Sequence, residues 1–301
     1  MNKIYRSGDV SVPALVDLDL SVAAGELVAV MGPSGSGKTT LLNCLSGLDD
    51  ISSGRVTVAG RDLFAMSDAD RTEHRARSMG FVFQSFNLIP VFSAVENVEL
   101  PLLLVGSPPR QARVAALDML DQVGLAHRGN QLPNQMSGGE QQRVTIARAL
   151  VAKPAIVWAD EPTGNLDTVM AEQVMSLLRT LNEEHGQTIV LVTHDPGIGA
   201  SAGRLVLMRD GRLQSDEQQG PGPAADSSRG DHVFVPVTRP ALPADLSRQL
   251  RARRRCRRLP HEPGPQVDRR GPGERDLRGG PDRHHPPDRL ERGGPRSGRG
   301  N

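Results

Sequence analysis

The run GPSGSGKT at 32–39 limits this chain more than any other feature. It fits G-x-x-x-x-G-K-[ST], with the apolar run LVAVM before it and the helix-like run TTLLNCLSG overlapping its end. A strand that turns through glycines into a helix is a phosphate cradle. Gly32, Gly35 and Gly37 let the backbone curl around Pro33, Ser34 and Ser36 so that successive N–H groups point inward at phosphate oxygens. The helix that starts there adds its partial positive charge. Lys38 reaches the β and γ phosphates, Thr39 is the natural Mg²⁺ ligand, and Thr40 continues the first turn. Kinases, GTPases and many ATPases share such a loop, so further motifs must decide between them.

Around this loop, residues 1–213 alternate short β-rich runs with helix-like ones, the pattern of an α/β domain with a largely parallel sheet. Strands are expected at 27–31, 55–58, 80–83, 155–159, 188–193 and 204–209. Helices are expected at 38–46, 68–78, 110–123, 138–152 and 169–184, where Val174, Leu177, Leu178 and Leu181 make one apolar stripe.

An apolar content of 37% and an aromatic content of 3% are low for a folded domain, so part of the chain is not core. That part starts near residue 220: the last 81 residues hold 13 of the 23 prolines, 11 of the 32 glycines and the run RARRRCRR. Such a segment does not bury enough apolar area to offset its ordering entropy, and residues 214–301 are expected to form a disordered tail. The net charge of +1 is a cancellation. Residues 1–220 carry 18 basic and 25 acidic side chains, net −7, whereas 221–301 carry 18 and 10, net +8. A basic arm that binds polyanions weakly, a dispensable tail and a shifted reading frame all fit that composition.

Cys44 and Cys256 give neither a disulfide framework nor metal-ligand spacing, which fits a reduced, cytoplasmic protein. No run approaches the roughly 18–20 apolar residues of a membrane span, and the start MNKIYRSGDV has no signal-peptide core. The expectation is a chain that neither crosses a membrane nor is exported by its own signal.

Two further runs carry chemistry. AIVWADE at 155–161 is an apolar strand that ends in two carboxylates, at the strand end where parallel sheets bind ligands. Asp160 would hold Mg²⁺, and Glu161 would act as general base toward an attacking water. Ser137, Gly138, Gly139 and Glu140 precede the helix-like run QQRVTIARAL and make a second anion-binding helix start. Two such starts about a hundred residues apart serve either different ligands or halves of a site shared between two subunits.

In this order the motifs resemble the nucleotide-binding subunits of ABC transporters over residues 1 to about 213. The resemblance rests on the phosphate loop, Gln84 in FVFQSFNLIP, the signature MSGGEQQR at 136–143, Asp160 and Glu161, NLD at 165–167, and His194 in LVTHDP. GFVFQSFNLIP, AVENVELPLLL and ADEPTGNLD are most similar to the lipoprotein-release and macrolide-export subgroup, which pairs with FtsX-like permeases. The resemblance implies an α/β fold: a P-loop NTPase, RecA-like core, an N-terminal antiparallel β-subdomain, and a helical signature subdomain spanning about 85–150.

It also implies roles. Tyr5 would stack on adenine, Gln84 would contact Mg²⁺ or the attacking water, and His194 would hydrogen-bond the γ-phosphate. Ser137, Gly138, Gly139 and Glu140 would grip the nucleotide of the other subunit, and Asp167 would lie at that seam. The implied assembly is a head-to-tail homodimer with two sandwiched ATPs, peripheral on the cytoplasmic face of the membrane through a permease, with no specific nucleic-acid partner. Phe86, Leu88, Ile89, Val91 and Phe92 would dock the permease, unless they form an internal packing turn.

The chain departs from the family pattern at Met136, at Glu140, at Trp158 and at its start, where four residues precede Tyr5. The antiparallel sheet is therefore expected to lack an edge strand, or the start to be misplaced. Rival readings are a soluble ATPase of translation or DNA repair, and a nucleotide-sensing module without turnover.

Overall fold

The protein is described by a computed structural model covering residues 1–219 and the strand Val233–Phe234. Strands β1 (Lys3–Ser7) and β2 (Val10–Leu15) form an antiparallel hairpin that turns at Gly8, φ 55°. After β3 (Ser21–Val22), β4 (Leu27–Met31) leads into α1 (Lys38–Leu45). A second hairpin, β5 (Thr57–Val58) and β6 (Arg61–Asp62), is followed by α2 (Asp68–Ser78) and β7 (Met79–Phe83). A helical excursion follows: α3 (Ala94–Leu104), α4 (Pro109–Gln122) and α5 (Gly138–Leu150). The chain then returns through β8 (Ile156–Asp160), α6 (Thr168–His185), β9 (Thr188–Thr193), α7 (Pro196–Ala200), β10 (Arg204–Arg209), β11 (Arg212–Gln218) and β12 (Val233–Phe234).

The main sheet has the order β11-β10-β4-β9-β8-β7, parallel throughout except at the β11 edge. Its central strands are buried on both faces, which is why they read as unbroken apolar runs. Alternation along each strand sends Val28, Val30, Ile156, Trp158, Val190 and Val192 to one face, where Leu41, Leu42 and Leu45 of α1 cover them. Leu27, Ala29, Val157, Ala159, Ile189 and Leu191 point to the other face, against Val174, Leu178 and Leu181 of α6. A third cluster, including Val95, Val98, Leu120, Leu125 and Val144, closes the helical excursion on itself.

Trp158, unusual by the family pattern, is fully buried on the α1 face, and its indole N–H has no hydrogen-bond partner. Cys44 lies in the same cluster, and burial, with Asp49 nearby, pushes its thiol up to about 12. Among the described residues, no helix is long and apolar enough to cross a membrane.

Three differences from the sequence reading have local causes. The strand expected over 55–58 shrinks to β5, because its hairpin turns at once through Ala59 and Gly60, both at positive φ. Helix α3 was not expected. It is apolar on most sides and carries Pro101, so it lacks a clear 3.6-residue stripe, and its start is fixed instead by a reciprocal cap between Ser93 and Glu96.

The third difference is at the boundary placed at 213. The last sheet strand, β11, pairs with β10 through Gln218, so the folded part runs five residues into the segment read as tail. The antiparallel sheet has the order β3-β12-β5-β6, in which β12, from the segment read as tail, lies antiparallel between β3 and β5. The remainder of the expected tail lies outside the described residues.

Candidate functional site

The carboxyl ends of β4, β9, β8 and β7 lie on one edge of the sheet, and every motif singled out in the core follows one of these ends. From β4 the chain enters the phosphate loop. A Cβ at Gly32 would stand 2.2 Å from the Met208 carbonyl oxygen, and Gly37, at φ 99°, is packed against the Ala14 carbonyl oxygen, 2.8 Å from where a Cβ would be. Neither position accepts a side chain.

Ser36 is buried, donates its N–H to Pro33 and accepts from the Gly211 N–H, so the base of the loop is rigid while Pro33, Ser34 and Gly35 stand exposed at its crest. The first turn of α1 has neither a side-chain cap nor an acidic residue, which leaves its N–H groups to an anion. Lys38 is buried, and its Nζ donates to the Gly32 and Pro33 carbonyls at 2.9 and 3.1 Å, folded over the loop it would share with a phosphate.

Asp160 ends β8 beside this helix, with the Thr39 hydroxyl 3.5 Å from its Oδ1. Burial raises the Asp160 carboxyl above the ordinary range and the Glu161 charge adds to that, against Thr39 and Lys38, which lower it. A hydroxyl and a crowded carboxylate form a hard-oxygen pair that would gain from a divalent cation, so these residues fit Mg²⁺. Among the described residues there is no cluster of three or more His, Cys, Asp or Glu suited to a metal. The ion would thus take most of its remaining ligands from phosphate and water.

Glu161 is held in the left-handed region, φ 46°, with its N–H on the Val192 carbonyl at 2.9 Å. Strain at a non-glycine residue persists only where its surroundings enforce it. Here it aims Oε1 at Nδ1 of His194, 3.0 Å away, just past β9. Gln84, just past β7, is turned toward Asn165: its Nε2 donates to Asn165 Oδ1 at 3.3 Å, and Asn165 Nδ2 donates to its carbonyl at 2.9 Å.

Tyr5 lies on β1 and is 43% exposed. Its hydroxyl donates to Asp49 Oδ2 at 2.7 Å, and the Thr40 side chain of α1 also reaches it. The aromatic ring is thereby placed beside the phosphate helix.

The second helix start is well formed. Ser137 and Glu140 cap α5 reciprocally, the Ser137 N–H on Glu140 Oε2 at 2.8 Å and the Glu140 N–H on Ser137 Oγ at 3.3 Å. Arg128 pairs with Glu140 Oε1 at 2.9 Å, so both oxygens of that carboxylate are engaged within the chain. Gly138 lies against Leu166 and Phe86, and a Cβ at Gly139 would stand 2.6 Å from Met170 Sδ. Asp167 caps α6 by accepting the Met170 N–H at 2.9 Å. Helix α5 packs on β7, three strand positions from β4, a separation of roughly 14 Å across the sheet.

Sequence reasoning passed over four residues that hold these parts. Gln142, fully buried, donates to the Pro162 carbonyl at 2.6 Å; its signal was its place at 139, 142, 146 and 149 on the buried face of α5. Arg148 donates to the Asn87 and Phe86 carbonyls at 2.6 and 3.0 Å, across a turn in which both residues have positive φ. Asn97, also fully buried, donates to the Ile89, Phe92 and Ser93 carbonyls and accepts the Ile89 N–H. The loop at 89–93 is thus fixed from within, and Val91, 76% exposed, projects from it, while Phe86, Leu88, Ile89 and Phe92 are half-buried. Asp49 is the fourth.

Comparison with known proteins gives one answer. The family model described as ABC transporter matches residues 15–164. The lipoprotein-releasing system ATP-binding protein LolD of a Shewanella species is 46% identical over 215 residues, 71% of this chain and 93% of that protein. The macrolide export ATP-binding/permease protein MacB of Rhodopirellula baltica is 43% identical over 250 residues, 81% of this chain; the chain spans only 36% of that longer protein. Among solved structures, the dimeric bacterial ABC transporter cassette MJ0796 is 42% identical with a TM-score of 0.68, covering 73% of this chain and 97% of that one. Its dimeric post-hydrolysis state bound to ADP and Pi gives a TM-score of 0.67 at the same identity and coverage.

Proposed function

Because the chain belongs to the ABC transporter family as an ATP-binding cassette, we propose that it drives an FtsX-like membrane permease by closing head-to-tail on two ATP molecules and reopening after hydrolysis. It is an ATPase subunit of the LolD and MacB type. The observation that carries the mechanism is the Glu161–His194 pair, 3.0 Å apart, on the sheet edge that also holds the phosphate loop and Asp160.

In that reading the α1 amides and Lys38 bind the β and γ phosphates, Lys38 exchanging its two loop carbonyls for phosphate oxygens. Thr39 and Asp160 would hold Mg²⁺, which when bound neutralises charge on the phosphates. Glu161 accepts a proton from the water whose oxygen attacks the γ-phosphorus, while the bond to the β-phosphate oxygen breaks and ADP leaves. His194 orients Glu161 and the γ-phosphate, and Gln84 supplies a contact to the water or metal. Ser137, Gly138 and Gly139 of the second subunit complete the phosphate cage. Glu140 is charged and internally paired, so it supports that cage through the α5 cap.

The dimeric form of MJ0796 supports the shared site. Val91 and the half-buried apolar residues around it form the permease-facing knob, and the subunit works on the cytoplasmic face of the membrane. The test is Glu161→Gln in the full chain. Hydrolysis should fall at least a hundredfold, while ATP converts the monomer to a dimer that persists on size exclusion. Unchanged turnover in Glu161→Gln would remove Glu161 from the mechanism.

A further inference from the structure

The face of Tyr5 is not left to chance. Lys3 and Tyr5 are two residues apart on β1, so both side chains leave the same side of the hairpin. The Lys3 ammonium stands over the aromatic ring, 4.7 Å from its centroid. It is held there by two short bonds, to Asp49 Oδ1 and to the Asp50 carbonyl, both 2.6 Å. The other oxygen of the same carboxylate accepts the Tyr5 hydroxyl at 2.7 Å. Asp49 thus fixes the ring at its hydroxyl tip and fixes the cation on one ring face. Lys3 is 8% exposed and Tyr5 43%, so the covered face is the lysine side and the ring stays open elsewhere.

Asp49 is itself tied to the phosphate helix, since its N–H donates to the Asn43 carbonyl of α1 at 3.1 Å. Burial lowers the Lys3 pKa, but the hydrogen bond to Asp49 and the charge of that carboxylate, with smaller contributions from Cys44 and Tyr5, together outweigh it and the net shift is upward, so Lys3 is a cation at neutral pH.

We propose that Lys3 and Asp49 are positioning residues that turn Tyr5 into a fixed, cation-backed platform for the purine base of the nucleotide, in register with the phosphate helix. This rests on the reading of Tyr5 as the base-stacking aromatic. A free tyrosine loses rotamer freedom when a base stacks on it, whereas a ring pinned at its tip and on one face has already lost it. The ammonium also draws π-electron density toward its own side, which reduces the repulsion an electron-rich purine meets on the other. A platform of this kind reads no base edge, so it strengthens ATP and GTP alike.

The test measures dissociation constants of the full chain for ATP, GTP and inorganic triphosphate, which has no base. Lys3→Met keeps the stem and removes the charge; Asp49→Asn weakens the anchor of both groups; Tyr5→Ala removes the platform. Lys3→Met and Asp49→Asn should each weaken ATP and GTP roughly three- to tenfold, leave triphosphate unchanged, and lose their effect in a Tyr5→Ala background. Lys3→Arg should restore most of the loss. Wild-type ATP affinity in Lys3→Met and Asp49→Asn, with Tyr5→Ala still impaired, would overturn the positioning role while sparing the stacking role. An equal loss for ATP and triphosphate in Lys3→Met or Asp49→Asn would also overturn it, as general damage. If Tyr5→Ala leaves the ratio of ATP to triphosphate affinity unchanged, the stacking role itself fails.

Discussion

Gln142 Nε2 donates to the carbonyl of Pro162 at 2.6 Å, so the signature helix α5 is fastened from a fully buried position to the residue that follows Glu161. The Gln142 amide oxygen is in turn 3.2 Å from the Thr145 hydroxyl, which also donates to the Gln142 carbonyl. Any displacement of α5 is therefore felt at the backbone next to Glu161.

Gln142→Ala should expose this link. It leaves the Pro162 carbonyl buried without its donor, which costs about 1–3 kcal/mol and lowers Tm by several degrees. Because Glu161 already sits in strained backbone, kcat should fall by more than the affinity for ATP does. Thermal melts and steady-state kinetics check both; a variant with lowered Tm but normal kcat would make the link purely structural.

His194→Ala leaves the strained Glu161 carboxylate without its 3.0 Å partner. A drop in kcat of about a hundredfold is expected, because the base that takes the proton loses the group that orients it. The ATP-dependent dimer should still form, since the phosphate loop and the α5 start are untouched, and size exclusion with and without ATP reads that directly.

The parts of this site that were legible in the sequence are those where backbone geometry or charge dictates one residue type. Gly32 and Gly37 leave no room for a Cβ, Lys38 is a buried cation held by two loop carbonyls, and Asp160 and Glu161 end a strand with no other acidic residue. The central strands were legible for the same reason, since burial on both faces removes polar positions from the run. What stayed hidden depends on tertiary pairing. Asn97, Arg148 and Asp49 look like ordinary polar residues until α3, α5 and the segment after α1 are folded against carbonyls or a ring distant in sequence. The strands β1, β2 and β11 were hidden because they are largely exposed, so the apolar residues of β2 and the polar ones of β1 and β11 do not mark a buried face as the core strands do.

Asp160 predicts a pH-dependent cost in the ligand-free fold. Its pKa in the folded chain is raised, by burial first and Glu161 second, so the folded state binds its proton more tightly than the unfolded chain does. The associated stability is present below the ordinary carboxylate range, about pH 4, and is lost as pH rises through the elevated value. Asp160→Asn removes that loss. Without nucleotide, the variant should melt higher than wild type at pH 7–8, and the difference should shrink toward zero as the pH is lowered to about 4. The same variant should lose Mg²⁺-dependent turnover, so a gain in stability accompanies a loss of function. Equal melting temperatures at neutral pH would show that solvent already relieves the carboxylate.

Helix α5 is seated by two glycines near its opposite ends, and the two contacts differ in kind. A Cβ at Gly80 of β7 would stand 2.4 Å from the Ala149 carbonyl oxygen, a backbone atom near the end of α5, so the helix itself must move away. At Gly139 the obstacle is the Met170 thioether at 2.6 Å, the flexible part of an α6 side chain, which can rotate. Gly80→Ala should therefore cost about 1–3 kcal/mol and lower Tm by several degrees, as overpacking a close backbone contact does. Gly139→Ala should cost less in Tm, yet the methyl pressing on Met170 shifts the start of α5, whose N–H groups would face the γ-phosphate of a second subunit. Its defect should appear as loss of the ATP-dependent dimer and of turnover, with ATP affinity of the monomer intact. Melting curves, size exclusion with ATP and ATP binding separate the two variants. A Gly139→Ala protein that dimerises normally would place the seam away from the start of α5.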